Sequence, residues 1–166
     1  GYVLQASPAV EIVADRVALP ESAGSVDLLS VLPPEIAARY ERPNWNILQE
    51  PPAETAPCVK MCKHEEYVKL IRRMLKANMV ELSTSALCVN GLFAVEKPDG
   101  SLRLIIDERR NNQLWSTPPP LRLSNPEHIA KLSVSPGQGL EAATADRDNF
   151  YHRLRIPKWS RPFHAL

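Results

Sequence analysis

The chain has 166 residues, 44% hydrophobic and 23% charged, with 20 Lys+Arg against 19 Asp+Glu. That size and mixture fit one ordinary globular domain or a piece of a larger protein, and exclude global disorder. No apolar run reaches the ~18 residues of a membrane-spanning helix, so no membrane partner is expected. The first twenty residues lack the basic start and apolar core of a signal peptide, and three cysteines do not make a disulfide scaffold, so an intracellular, non-secreted protein is expected, cytoplasmic or nuclear. The chain opens on Gly1 and closes on Phe163-His164-Ala165-Leu166 without a terminating signal, which reads as a fragment.

The net charge of +1 is unevenly spread: residues 1–57 sum to −5, residues 58–125 to +4 and the rest to +2. An acidic leader before a basic body suits a body that meets a polyanion. Eight of the sixteen prolines cluster at Pro33-Pro34, at Pro51-Pro52 with Pro57, and at Pro118-Pro119-Pro120, and each cluster ends regular structure. Residues 1–57 therefore read as an acidic, Pro-rich, largely irregular leader and linker, with a short helix from Pro34 to Tyr40 and no chemistry of its own. The body is placed at 58–166.

Within the body, Tyr67, Leu70, Ile71, Met74 and Leu75 repeat at helical spacing. A helix is predicted there, with Glu65 and Glu66 in its first turn and Lys69, Arg72, Arg73 and Lys76 on a basic, solvated face. Gly91 to Glu96 and Ser101 to Asp107 read as two strands joined by Lys97-Pro98-Asp99-Gly100, a β-hairpin. Asn125-Pro126-Glu127 would cap a helix running to about Leu132. Ala142 to Asp146 would form a buried strand ending in a carboxylate, and Asn149 to Leu154 a compact turn or helix. The fold class expected is α+β.

Two features carry chemistry. Lys97 near the hairpin tip and Arg103 on the returning strand can clamp a triphosphate, one as a point charge and one as a planar fork. A carboxylate at the end of a buried strand, Asp146, is costly unless paired or bound to a hard cation such as Mg²⁺.

Taken in order, Lys97, Asp99-Gly100, Arg103, Asp107, Arg109 and Asn112 resemble the fingers of reverse transcriptases, those of retrotransposons above all. Thr117 to Leu123 is similar to the connection from fingers to palm in that family, and Asn125 to Leu132 to the helix that follows. Asp146, with Tyr151 five residues on and then His152, is similar to the first catalytic motif. The resemblance covers roughly residues 58–166. It implies the fingers and the start of the palm of a right-hand RNA-directed DNA polymerase, an incomplete active site without a Tyr-x-Asp-Asp motif. It further implies Asp146 as catalytic metal ligand for Mg²⁺ or Mn²⁺, and Lys97, Arg103 and Tyr151 as nucleotide-binding. Asp107, Arg109 and Asn112 would support the fingers and the template. The implied reaction is deoxynucleotide addition to a primer on an RNA or DNA template by two-metal phosphoryl transfer. The implied partners are template with primer, deoxynucleoside triphosphates and the rest of a polyprotein, namely the remaining palm and the thumb, with an RNase H, integrase or endonuclease domain left open.

Two rival readings stand beside it. Departures from the family pattern at Arg147 and Phe150 point to a catalytically inactive nucleic-acid-binding relic or interaction module. Cys58, Cys62 and His64, with Cys88 further on, offer possible zinc ligands. His128 and His164, with no partner evident in the sequence, read as surface or satisfied core histidines, and Trp45, Trp115 and Trp159 as packing residues.

Overall fold

A computed structural model describes residues 7–42, 48–117, 131–141, 143, 146 and 149–166. The architecture is mixed α/β. The chain divides into two compact units, residues 1–116 with 149–166, and residues 117–148.

In the first unit the strongest sequence signal gives the longest helix described, α3 (His64–Lys76). Its apolar stripe buries Leu70 and Met74, at 0% and 1% exposure, while Glu65 and Glu66 stand in its first turn and Arg73 and Lys76 in its last. The helix ends at Ala77, followed by Asn78 with φ +58°, a left-handed conformation that asparagine tolerates better than most residues.

The expected hairpin is present as β3 (Gly91–Glu96) and β4 (Leu102–Asp107), antiparallel, with Leu92 opposite Ile106 and Val95 opposite Arg103. Gly100 takes φ +79° in the turn, which a glycine supplies without strain. Alternation divides the hairpin into two faces. Leu92, Ala94 and Leu102 turn inward and are almost wholly buried with Met74 and Leu70. Phe93, Ile105, Val95, Arg103 and Asp107 turn outward.

The main correction concerns the leader. Residues 1–57 were expected to be irregular and separate from a body beginning at residue 58. Instead β1 (Ala9–Val10) pairs antiparallel with β3, giving the sheet order β1-β3-β4. Ile12, Ala14 and Val17 sit in the same buried core as Leu70 and Leu92. A 3₁₀ turn over Ala14–Arg16 is clamped by α3 from both sides: Glu66 accepts from the Ala14 N–H at 2.6 Å, and Arg73 donates to the Ala14 carbonyl and, at 3.0 Å, to that of Val17. The basic face expected on α3 is thus partly spent, with Arg73 on the leader and Lys69 paired to Glu66 at 3.0 Å. The division at residue 57 does not coincide with a break in packing. A short apolar stretch such as Val10 to Val17 buries its side chains wherever a helix and a sheet leave a face uncovered, which its own periodicity does not reveal.

Further along, β2 (Val26–Asp27) pairs in parallel with β5 (Leu154–Arg155), and Arg155 donates to the Gly24 carbonyl at 2.5 and 3.1 Å. Two short helices follow β2: α1 (Leu28–Val31), N-capped by Asp27, and α2 (Pro34–Tyr40), where the sequence placed a helix. Leu48 and Gln49 then run beside Leu114 and Trp115. After β4 comes the single turn α4 (Arg109–Asn112), and after residue 148 the single turn α5 (Phe150–Arg153), β5 and a 3₁₀ segment over Lys158–His164. That last segment packs Trp159 and Phe163 on Trp115, with ring centroids 6.0 and 5.4 Å from it.

In the unit 117–148, a turn joins Ser135 to Gln138 and Gly137 takes φ +85°. Residues 118–123 of the proline segment, nearly all of the helix expected over Asn125 to Leu132, and residues 142, 144 and 145 of the strand expected over Ala142 to Asp146 lie outside the described residues, as do Trp45, His128 and Arg147. Among the described residues no helix is long and apolar enough to cross a membrane.

Candidate functional site

The outward face of the hairpin floors an open groove of about 760 Å³. Its floor is apolar, made by Ala9, Val59, Met61, Phe93 and Ile105, and one rim is polar, made by Asp107, Glu108, Arg109 and Asn112. The segment carrying Val59 and Met61 is held against β3 by the Met61 N–H on Leu92 O at 2.8 Å and the Leu92 N–H on Val59 O at 2.9 Å. Gly91 makes this approach possible, because a Cβ there would stand 2.7 Å from the Val59 carbonyl oxygen. The groove therefore depends on both the hairpin and the strands laid across it.

Three residues taken from the sequence as one set meet on this rim. Asp107 ends β4 with its side chain only 9% exposed, and Arg109 closes on it through a two-pronged ion pair, Nη2 at 2.6 Å and Nε at 2.8 Å. The Arg109 hydrogen bonds hold the Asp107 carboxyl below the usual carboxylate range, although burial acts the other way. Asn112 closes α4, exposed beside them. Arg109 itself is largely exposed, so the rim presents a fixed guanidinium plane next to an apolar floor. Such a combination accepts a flat ring with polar edges lying near a phosphate.

Toward the tip stands Arg103, exposed and opposite Val95, on the same face as Phe93 and Ile105. Lys97 begins the turn, half-buried, with Nζ 3.3 Å from Asp99. Asp99 is itself pulled down to about 2, first by the Ser101 hydroxyl and N–H and then by Lys97. The structure thus brings Lys97, Arg103, Asp107, Arg109 and Asn112 onto one hairpin and its base.

Tyr151 is not among the residues of that groove. It lies on α5, 84% exposed, its ring edge-on to Phe150 at 5.4 Å between centroids. His152 beside it is half-buried, and burial pushes its imidazole below the ordinary value of 6.5. Asp146 belongs to the unit 117–148 and is exposed, and both it and Ala143 are outside any strand. An exposed carboxylate carries no desolvation cost, so the argument that burial forces Asp146 onto a metal falls away. Among the described residues, no group of three or more His, Cys, Asp or Glu side chains is arranged to hold a metal ion.

Cys62 donates its thiol to the Lys63 carbonyl at 3.3 Å, and burial, with Glu66 and Glu11 nearby, pushes its pKa up. Burial does the same at Cys88.

Several residues at the hairpin base escaped the sequence reading. Asn111, 1% exposed, accepts from the Trp115 indole at 2.9 Å and lies 3.3 Å from His164 Nδ1. His164 is also 2.7 Å from Glu108, which supplies the partner that its sequence did not reveal. Asn90, fully buried, donates to the carbonyls of Phe163 and Ala165 at 3.1 and 3.2 Å. The one sequence signal for Asn111 is its i,i+4 spacing from Trp115. Little local marks Asn90 or His164: apart from the Cys88 thiol, which donates to Asn90, their side-chain partners are more than fifty residues away.

No family model, no curated protein and no solved structure matches this chain.

Proposed function

We propose that the chain is the fingers and start of the palm of a retroelement RNA-directed DNA polymerase, and that its own contribution is to hold the incoming deoxynucleotide and the template. One observation carries the reading. A single outward hairpin face runs from Lys97 and Arg103 at the tip, over the Phe93 and Ile105 floor, to the Asp107–Arg109 pair and Asn112 at the base. The tip supplies two cations for a triphosphate, and the groove supplies an apolar floor and a rigid guanidinium for a template base and its phosphate. The order of these residues along the chain, which resembles the fingers of reverse transcriptases, gains meaning from their sharing one face.

On this reading Tyr151, exposed on α5, would meet the sugar of the nucleotide and disfavour a 2′-hydroxyl. Asp146 would be one carboxylate of a Mg²⁺ or Mn²⁺ pair completed by acidic residues of the intact polyprotein, which would also supply the thumb. Titration of the chain with dTTP and, separately, with an RNA template annealed to a DNA primer tests the two halves of the site. Lys97→Ala and Arg103→Ala are each expected to weaken dTTP binding about tenfold or more, the worth of a charge-assisted hydrogen bond, and to leave the thermal midpoint in place. Arg109→Ala is expected to weaken template–primer binding and to flatten its salt dependence by roughly 0.7–0.9 in log–log slope. Unchanged affinities in all three variants would remove the proposal.

The second reading, a non-catalytic nucleic-acid-binding module, is favoured by Asp146 being exposed and outside any strand. Both readings expect binding, and primer extension by the intact polyprotein separates them. Extension abolished by Asp146→Asn supports the polymerase, and binding without any extension supports the module.

A further inference from the structure

The leader reaches the hairpin tip through one side chain. Arg16 Nη2 lies 2.5 Å from Glu96 Oε1, and Nη2 and Nε both donate to the Gly100 carbonyl, at 2.8 and 3.1 Å. Behind it the Ala14–Arg16 turn is fastened to α3 by Glu66 and Arg73, and the Val17 backbone bridges to Leu102, where Ala18 donates to the Leu102 carbonyl at 2.9 Å. A continuous set of contacts therefore runs from the buried helix to the turn that carries Lys97. Without it the tip would be a two-stranded ribbon around a glycine whose Cβ position has no neighbour within 4 Å, an arrangement that frays. Charge points the same way. Glu96 is adjacent in sequence to Lys97 and would repel a triphosphate, and Arg16 cancels it.

We infer that Arg16 is a positioning residue for a triphosphate site at the hairpin tip, holding the turn through Gly100 and neutralising Glu96. The inference rests on the nucleotide-binding reading above and extends it to the leader, for which no chemistry is read from sequence. Arg16 and Glu96 side chains are 45% and 58% exposed, so the effect is modest in size.

The test is titration of the full chain with dTTP and Mg²⁺ at low salt, with hydrogen exchange at the tip and a thermal melt on each variant. Arg16→Ala is expected to weaken dTTP binding by up to about fivefold, the upper worth of an exposed ion pair. It should also speed exchange of the Gly100 amide, which donates to the Lys97 carbonyl at 2.9 Å, with little change in the melt. Arg16→Lys restores the charge but not the fork, and should recover part of the affinity while exchange stays fast. Glu96→Gln keeps the hold on Gly100 and removes the negative charge, so it should bind dTTP at least as tightly as the unaltered chain. Weaker binding by Glu96→Gln overturns the inference even if Arg16→Ala fails to fold. Unchanged binding by Arg16→Ala, where Lys97→Ala does weaken it, overturns the inference alone. No dTTP binding by the unaltered chain overturns the nucleotide reading and the inference with it.

Discussion

At its base the β3–β4 hairpin is held by hydrogen bonds of two buried asparagines. Asn90 ties it to the carbonyls of Phe163 and Ala165, Asn111 ties α4 to Trp115 and His164, and Gly91 lets the Val59 backbone lie directly against it. At its tip the same two strands are held by exposed charge, Arg16 on Glu96 and Gly100, Lys97 on Asp99. A buried polar group deprived of its partner costs its full desolvation, whereas an exposed ion pair is screened and its loss is small. The difference separates two duties on one hairpin. Stability resides at the base, and the tip is left with cations whose partners a polyanion can replace at little cost to the fold.

That contrast makes unequal demands on substitutions. Asn90→Ala at the base strips the part-buried Phe163 carbonyl of its side-chain donor, leaves the Ala165 carbonyl with the Asn90 backbone N–H alone, and should lower stability by about 1–3 kcal/mol. Chemical denaturation of the variant checks it, and a loss close to that of a surface substitution would break the comparison. Gly91→Ala places a methyl where the Val59 carbonyl oxygen stands, 2.7 Å away, and should cost about 1–3 kcal/mol as the strands are pushed apart. The groove depends on that approach, so on the proposed reading binding of a primed template should weaken with the same variant.

Acid sharpens the comparison from the side of the leader. The Ala14 N–H, then Lys69, hold the Glu66 carboxyl below its ordinary value of 4.5. A depressed folded pKa means that the stabilisation is fully present above the unfolded value and is lost as pH falls through the folded one. The leader should therefore loosen from α3 as pH drops below about 4.5, seen as faster exchange at Ala14. Glu66→Gln, which cannot titrate, should remove that dependence. His152 adds a smaller effect by the same sign. Its burial-lowered imidazole favours the neutral form, so the β2–β5 pairing should weaken as pH falls below 6.5.

Where a segment's structure is decided by its own neighbours, the sequence was enough. The α3 stripe and the Pro-Asp-Gly turn are local patterns, and the helix at Pro34–Tyr40 follows from a proline at its first position. What escaped is long-range. Val10 to Val17 shows no strong period of either kind, and its place in the core is set by the face that α3 and β3 leave open. Arg73 looked like a solvated cation, since nothing within its helix announces a carbonyl sixty residues away. The site divides along the same line. Lys97, Arg103, Asp107 and Arg109 are close in sequence, so a hairpin brings them together once its register is known. Asp146 depended on a buried strand, and the structure leaves that carboxylate exposed.

The central claim is that the outward hairpin face takes nucleic acid. Hydrogen exchange of the full chain, measured with and without a primed RNA template and dTTP, tests it most directly. Protection concentrated on residues 93–112, removed by the Arg103→Ala and Arg109→Ala double variant, is the result expected. Binding that leaves those residues unprotected and protects α3 or the 158–164 segment instead would contradict it.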